Sequence, residues 1–571
     1  MVGMYIATVP NRGSPPAILL REGYRQGGKV KTRTLANLSR LPPEAVAALR
    51  QVLKGDQLVR AHDAFEAVAS LHHGHVQAVL DAMRRLGFAN LVASRPSRQR
   101  HLVLAMVAAR LLEPDSKLGT TRWWNLTTLP TLLGVSDAHE DELYAAMDWL
   151  LKRQPLIEKK LAARHLHNDG MALYDLSSSY FEGVTCPLAA LGHNRDGKKG
   201  KLQVNYGLLT DTRGIPVAVS VFKGNTGDPK TLLPQVAKVR EEFRLERFVL
   251  IGDRGMITQK QIDALRQLDG IDWVAALRPE AIRKLLEGGA LQLGLFDERN
   301  LFELTHPDFP AERLVACRNP ELAQRRAHKR TSLLEATAKE LEKVRRMVER
   351  GRLRGQDNIG VRVGKVVNKY KVAKHFKLII EDARFDFAID PDKVAAEAAL
   401  DGIYVIRTSL PEDRMGADDA VRSYKRLSQV ERAFRSFKTM DLQLRPIHHR
   451  LEHRVRAHIF LCMLAYYVMW HMLQAWRPLL FCDEDLQAKA TQDPVAPAER
   501  SESALHKVHS KTLDDGSEVH SFHTLLKQLS GIVRNVCRIP GAPSDAPTFD
   551  VVTTPSAKQR HAYQLLEAIE V

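Results

Sequence analysis

The sequence predicts an α/β protein built on a mixed β-sheet, with a large insertion, N-terminal β and helical domains and a C-terminal helical tail. Three observations carry that expectation. Phe248-Val-Leu-Ile251 is a continuous apolar run, the mark of a strand buried on both faces. Before it, Met171 to Leu176, Leu202 to Leu209 and Ile215 to Phe222 read as strands, the last two joined by the turn-forming Thr210-Asp-Thr-Arg-Gly214. Far downstream, Tyr424, Leu427, Glu431, Phe434 and Lys438 recur at steps of three and four, so they share one face of a helix.

Length and composition set the bounds. A chain of 571 residues is too long for one core and suggests roughly three to five units. The formal net charge of +17 and a pI near 9.6 favour an acidic partner, most simply a nucleic acid backbone. The longest apolar stretch, Ile459 to Trp470, is too short to span a bilayer and lies between His458 and His471, so no membrane association is expected. Met1 to Pro10 lacks the basic start of a signal peptide. Five cysteines without a CxxC pair fit a reducing cytoplasm rather than a zinc site or a disulfide framework.

Taken in order, Tyr5 to about Leu53 is strand-like and basic, and Arg25, Lys29, Lys31 and Arg33 mark either a phosphate contact or a solvated hairpin. From His62 to His167 the pattern is helical, with His101 to Leu112 ended by Glu113-Pro114. Ser116 to Asn125 mixes Lys117 and Arg122 with Trp123 and Trp124, a combination that suits DNA but also serves a core. Asp228-Pro229 offers an N-cap and first-turn proline for a helix to Phe243, and Thr258 with Gln261 a capping box for another. Trp273 to Leu277 looks like a further strand. Between Pro279 and Ala399 come a loop-rich stretch, a long basic helix from Glu321 to about Gly351 with Leu334, Leu341 and Val348 as its apolar seam, and a β-looking tail. Asp401 to Ile406 returns to strand character, and the apolar helix Arg454 to Trp476 follows the one that carries Tyr424 to Lys438. Asp483 to Ser517 reads as a linker or disordered segment, followed by a helix near His520 to Val533, a Pro-rich extended piece and a last helix near Lys558 to Glu570.

Three carboxylates stand out. Asp175 sits inside a strand, where acids are poorly placed, Asp253 ends a buried strand, and Glu431 falls between Leu427 and Phe434, where it would meet a packed core. Salt-bridging of Glu431 to Arg435 or Lys438 is the plain alternative. The order of strands and helices is that of a ribonuclease H-like sheet, in which the first and fourth strands are neighbours and a later helix crosses their face. Such a sheet would gather acids lying 78 and 178 residues apart. Clustered acids call for a cation, and open oxygen ligands suit Mg²⁺ or Mn²⁺. Two such ions can drive an in-line attack on phosphorus. The histidines 448, 449, 453 and 458 match no zinc spacing.

Tyr174-Asp-Leu176, Ile251-Gly-Asp-Arg-Gly255 and the Tyr424, Glu431, Lys438 helix resemble the motifs of the DDE transposases of bacterial insertion sequences, the IS4 group and its IS1634-like branch. In that group's signature an arginine stands three residues after the tyrosine; here the position is Leu427 and the arginine is Arg426. The resemblance implies that Asp175, Asp253 and Glu431 are catalytic and hold two Mg²⁺ (or Mn²⁺) ions, and that Tyr424 and Lys438 hold DNA, with Arg426, Arg254 and Arg195 as further DNA contacts. It further implies binding of terminal inverted repeats and target double-stranded DNA, cleavage and strand transfer, a homodimer in the synaptic complex, a β-rich insertion, and action at the bacterial nucleoid in the cytoplasm. A nuclease of the same fold that never rejoins DNA, or a domesticated DNA-binding protein without chemistry, are the alternatives.

The expected division is a basic β-rich unit at 1–60, a helical candidate DNA-end-binding domain at 61–168, and the core in two parts, 169–280 and 401–477. The insertion with its long basic helix occupies 281–400, and a linker with a C-terminal helical region 478–571.

Overall fold

Runs of β-branched and aliphatic residues in the middle of the chain assemble an eight-stranded mixed sheet, and everything around the candidate site is hung from it. The structure, a computed structural model, describes residues 3–56, 64–292, 294, 296–439, 441–486, 492–497 and 499–570. It divides into two units, one of residues 1–71 with 533–553 and one of 72–532 with 554–571.

In the first unit, β1 (Gly3–Asn11), β2 (Ser14–Gln26) and β3 (Lys29–Asn37) form an antiparallel meander. Gly27 and Gly28 make the β2–β3 turn with φ of 58° and 75°, a region that L side chains avoid. All of β3 is exposed, and Arg33 pairs with Glu22 across the hairpin at 2.7 Å. A second sheet of this unit joins β4 (Glu66–His72) to two strands from the far end of the chain, where an extended piece between two helices of a helical tail was expected but not its place in a sheet.

The large sheet belongs to the second unit. Its first strands are β5 (Gly170–Tyr180), β6 (Gln203–Thr210), β7 (Pro216–Lys223), β8 (Phe248–Gly252) and β9 (Ile271–Ala276). β10 (Leu301–Leu304), β11 (Arg313–Arg318) and β14 (Ile403–Thr408) complete it in the order β10-β11-β14-β9-β8-β5-β6-β7. β8 runs parallel to both β5 and β9, and the other pairings are antiparallel. The segment 301–318, expected to be insertion loop, therefore extends the sheet, because Leu314 to Cys317 are all buried against β14.

Behind the sheet, the helix Glu452–Ala475 is buried on nearly every side and packs on β7 and on the helices Arg98–Leu112 and Glu140–His165. Glu158 ties this helical layer to the sheet: it is fully buried, accepts from the Val219 amide at 3.0 Å and pairs with Lys238 at 2.5 Å. Burial pushes its carboxyl upward. One apolar core thus runs unbroken across residue 168.

The basic–aromatic stretch after Ser116 becomes the helix Lys117–Trp124, with Trp124 and Lys117 both turned inward. Burial, with Arg110 nearby, lowers the Lys117 amine to about 7. A base whose folded value lies below its unfolded one binds fewer protons when folded, so this residue makes stability rise between pH 7 and about 10.4. Lys117→Met should therefore raise the melting temperature at pH 6 by roughly a few degrees, the scale of a 1–2 kcal/mol gain, and the gain should vanish near pH 10. Melting curves at the two pH values check it.

The insertion also departs from expectation. The helix Pro320–Glu349 is present and its Leu334, Leu341 and Val348 are buried, but the β-looking tail begins as a second helix, Gln356–Tyr370. Ile359, Val363 and Val367, spaced four apart, supply the facing stripe, and the helical period outweighs the β propensity of the valines. Only the hairpin β12 (Phe376–Ile380) and β13 (Phe385–Ile389) is extended. The insertion is thus mainly helical rather than β-rich. Arg330 and Arg345 of the long helix pair with Asp401 and Asp386.

Within 483–517, the helix Glu502–Ser510 stands where a linker was expected, held because Ser501 caps it and also binds the carboxylate of Asp483. Residues 487–491 and 498 of that segment lie outside the described residues. The strands that share the sheet of β4 are β15 (Val533–Arg538), its neighbour, and β16 (Phe549–Val552), which pairs with β15, and the last helix is Ala557–Leu566. Among the described residues no helix is long and apolar enough to cross a membrane.

Candidate active site

The site begins with strand register. β5 and β8 lie side by side, with Tyr174 opposite Gly252. The next residue along each chain is an acid, Asp175 within β5 and Asp253 just past the end of β8, so adjacency in the sheet brings them to the same level. Glycine is required next door: a Cβ at Gly207 of β6 would come within 2.1 Å of the Tyr174 hydroxyl, and Tyr174 is fully buried.

The third acid arrives on a helix. The expected helix over 424–438 is in fact two, Ala417–Lys425 and Leu427–Lys438, meeting at Arg426. Gln429 donates its amide to Arg426 at 2.8 Å, a three-residue step that tightens the junction. The second helix packs on β5 through Leu427, Val430, Phe434 and Phe437, and the Phe434 ring meets Tyr206 edge-on at 5.7 Å. That stripe is rotated from the one the periodicity suggested. Glu431 is consequently exposed at its edge, not buried among Leu427 and Phe434, and needs no neutralising partner to fold.

One cleft of about 680 Å³ is lined by Asp175, Asp253, Glu431, Tyr424, Lys438 and Arg195, six of the eight residues singled out from the sequence. Arg254 and Arg426 are exposed and outside that lining. Asp175 is partly buried, and its carboxyl is raised to about 7 by that burial and by the negative charges of Asp253 and Glu431, against the opposing Leu176 amide and Arg195. Tyr424 donates to Asp253 at 3.4 Å, so this phenol steadies the second acid.

Two further carboxylates went unrecognised in the sequence. Asp228, read as a helix cap, makes no capping bond; both its oxygens accept from Arg195, at 2.7 and 2.6 Å. The Asp196 carboxylate is buried and accepts from the Tyr180 amide at 2.9 Å, from Lys438 at 3.1 Å and from Arg445. A lone acid in the basic run His193 to Lys201 was the available signal. The run is anchored to the sheet: Gln203 donates to the carbonyls of His193 and Gly224 at 3.0 and 2.9 Å, and Arg195 donates its amide to Ser178 at 3.3 Å. The Thr258–Gln261 capping box is absent too, because the two side chains bond each other.

The donor set fits hard cations in kind, since it is made of carboxylate oxygens open to a cleft. It does not form a closed cage: among the described residues no three His, Cys, Asp or Glu side chains stand together closely enough to enclose one ion. Mg²⁺ commonly takes one or two carboxylates and completes its shell with water and substrate phosphate.

Comparison with known proteins extends the geometry. Residues 185–468 match the model of the transposase DDE domain, a match that contains Asp253 and Glu431 and begins ten residues after Asp175. The chain is a DDE transposase, an enzyme that transfers nucleotidyl groups in DNA transposition. Residues 6–64 match the N-terminal domain of IS1634 family transposases, and the chain belongs to that family. DDE domains generally use divalent metal ions, and transposases act on DNA. No curated protein matches the chain. Among solved structures it is similar to a piggyBac transposase synaptic complex with hairpin DNA, at 10% identity over 80% of this chain and 77% of that one, with a TM-score of 0.34.

Proposed function

We propose that the chain binds the terminal inverted repeats of an insertion sequence, cuts DNA at their ends and joins the freed 3′-hydroxyl to target DNA, using Asp175, Asp253 and Glu431. The observation that carries this reading is the register of β5 and β8, which sets Asp175 and Asp253 side by side in a cleft that Glu431 also lines. The sheet's first four strands, three antiparallel and the fourth parallel to the first, support a ribonuclease H-like core. The three acids would hold two Mg²⁺ or Mn²⁺ ions between themselves and the substrate phosphate. Such ions, when bound, supply the charge that activates water or a 3′-hydroxyl and stabilises the leaving oxygen.

The remaining work falls to positioning and charge. Asp175 must be ionised to serve, and the repulsion that raises it is relieved by a cation. Tyr424 keeps Asp253 in place, and Lys438 and Arg195, held by Asp196 and Asp228, present positive charge to the DNA backbone. Arg254, beside Asp253 and exposed, and Arg426, at the helix junction, are outer contacts for the same DNA. The helical segment 61–168 is the candidate for recognising the ends. A homodimer joining two ends, acting at the bacterial nucleoid, completes the reading.

Strand transfer with labelled terminal repeats from the flanking DNA tests it. Joined product in Mg²⁺ is expected; cleavage without joining would instead make the protein a nuclease, and binding without either would make it a DNA-binding protein only.

A further inference from the structure

The two helices of the insertion distribute their charge differently. Along the helix Pro320–Glu349, several cations are matched by acids one turn away: Arg325 pairs with Glu321 at 2.9 Å, Lys343 with Glu340 at 2.6 Å and Arg346 with Glu342 at 3.2 Å, and the exposed Arg326, Lys329 and Lys339 are scattered among them. The paired cations offer little to a polyanion, because their charge is already spent locally. The helix Gln356–Tyr370 behaves otherwise. With Ile359, Val363 and Val367 buried, Arg362, Lys365 and Lys369 stand exposed on another side, within a stripe about 60° wide at 100° per residue. No acid shares that stripe; Asp357, the helix's one acid, lies toward another face. Among the described residues none of the three cations has an ion pair, and Lys369 lies 4.9 Å over the ring of Tyr370.

We propose that this stripe docks on the phosphate backbone of duplex DNA. From Arg362 to Lys369 the helix rises about 10 Å, about three base steps along one strand, so the three cations can meet successive phosphates. The choice of DNA over another anion follows from charge complementarity. A row of cations in no ion pair, only Lys369 of which feels an acid of the neighbouring helix, Glu340, suits a uniform line of phosphates, whereas a protein surface would ask for mixed polarity. A contact made to phosphates is independent of sequence, and Asn358, on the same side of the helix, is already bonded to the Arg354 carbonyl at 3.1 Å. The stripe supplements the cleft's own cations and rests on the protein acting on DNA, not on the roles assigned to the three acids.

The test is fluorescence anisotropy of the full-length chain on a labelled random-sequence duplex, in a chelator so that no cleavage occurs, across a series of salt concentrations. R362A/K365A/K369A should weaken binding and flatten the plot of log affinity against log salt by about 2–3, since each phosphate contact contributes about 0.9. R325A/K343A/R346A, which removes the same charge from the matched helix, should change that slope by less than about 1. Melting by far-UV circular dichroism must be unchanged in both variants; should the triple variant unfold, R362A alone carries the expectation of a drop of about 1. An unchanged slope in the stripe variant, or equal losses in both variants, overturns the proposal and leaves an acidic protein surface as the stripe's partner. In Mg²⁺, cleavage per bound complex at saturating DNA should stay at the parental level, which separates failure of this contact from failure of the active-site reading.

Discussion

Asp175→Asn should lower DNA cleavage by at least about 10³-fold, the scale seen when one preorganised charge is removed from a transition-state site, while duplex binding in chelator stays near the parental value. The change removes a negative charge without altering shape. It leaves the side chain in the same strand position, where Asp175 is flanked by buried Leu173, Tyr174 and Leu176. It also removes the cost of burying the charge, and the repulsion from Asp253 and Glu431, which together lift the carboxyl, so the variant should be at least as stable as the parent near neutral pH. Loss of cutting with gain of stability is the signature of a functional acid placed against the interests of folding. Asp175→Cys sharpens the point: activity lost in Mg²⁺ and partly regained in Mn²⁺, which tolerates a softer ligand, would mark position 175 as a metal ligand. Cleavage by Asp175→Asn at the parental rate would remove Asp175 from the chemistry.

Asp196→Asn should destabilise the protein by about 3–5 kcal/mol, the cost of stripping one partner from a buried charge cluster. Asp196 is 2% exposed, and Lys438, 10% exposed, relies on it, as does Arg445. The amine of Lys438 is already lowered by burial, with Asp196 opposing the shift, so removal of the carboxylate leaves it poorly solvated and poorly paired. Lys438→Met added to Asp196→Asn should recover part of the lost stability, since the orphaned charge goes with it. The same pair of variants should differ in cleavage, because the double variant lacks the cation proposed to meet DNA. Denaturant unfolding of the single and double variants, read with cleavage at a temperature well below melting, checks both statements; a single variant as stable as the parent would mean that Asp196 is not the centre of the cluster.

These two acids show what could be read in the chain and what could not. Asp175 and Asp253 were legible because a charge in or at the end of an apolar strand conflicts with its surroundings, and that conflict is local. Their adjacency was legible from the order of strands. Asp196 and Asp228 lie in loops, where acids conflict with nothing, so no local pattern set them apart. Their importance arises from partners 249 and 33 residues away, Arg445 and Arg195. Glu431 was found for a reason that proved wrong. Periodicity placed it among buried neighbours, but a five-residue stripe on a helix leaves the rotation uncertain by about one position, and packing of Val430 and Phe437 turned it outward to the cleft. The second insertion helix was missed because Val361, Val363, Val366 and Val367 raise β propensity locally, while the apolar seam of the preceding helix stabilises the helical alternative.

By itself the sequence determined the large mixed sheet, the two strand-borne acids, the helix bearing the third, and the family, because each depends on hydrophobic period or on motif spacing along the chain. Tertiary structure alone decided which cations are free and which are matched, that β10 and β11 extend the sheet, that the end of the chain pairs with β4, and which side of its helix Glu431 faces. Those outcomes turn on contacts between segments far apart in sequence, and a charge or a strand edge carries no local mark of the partner it will find.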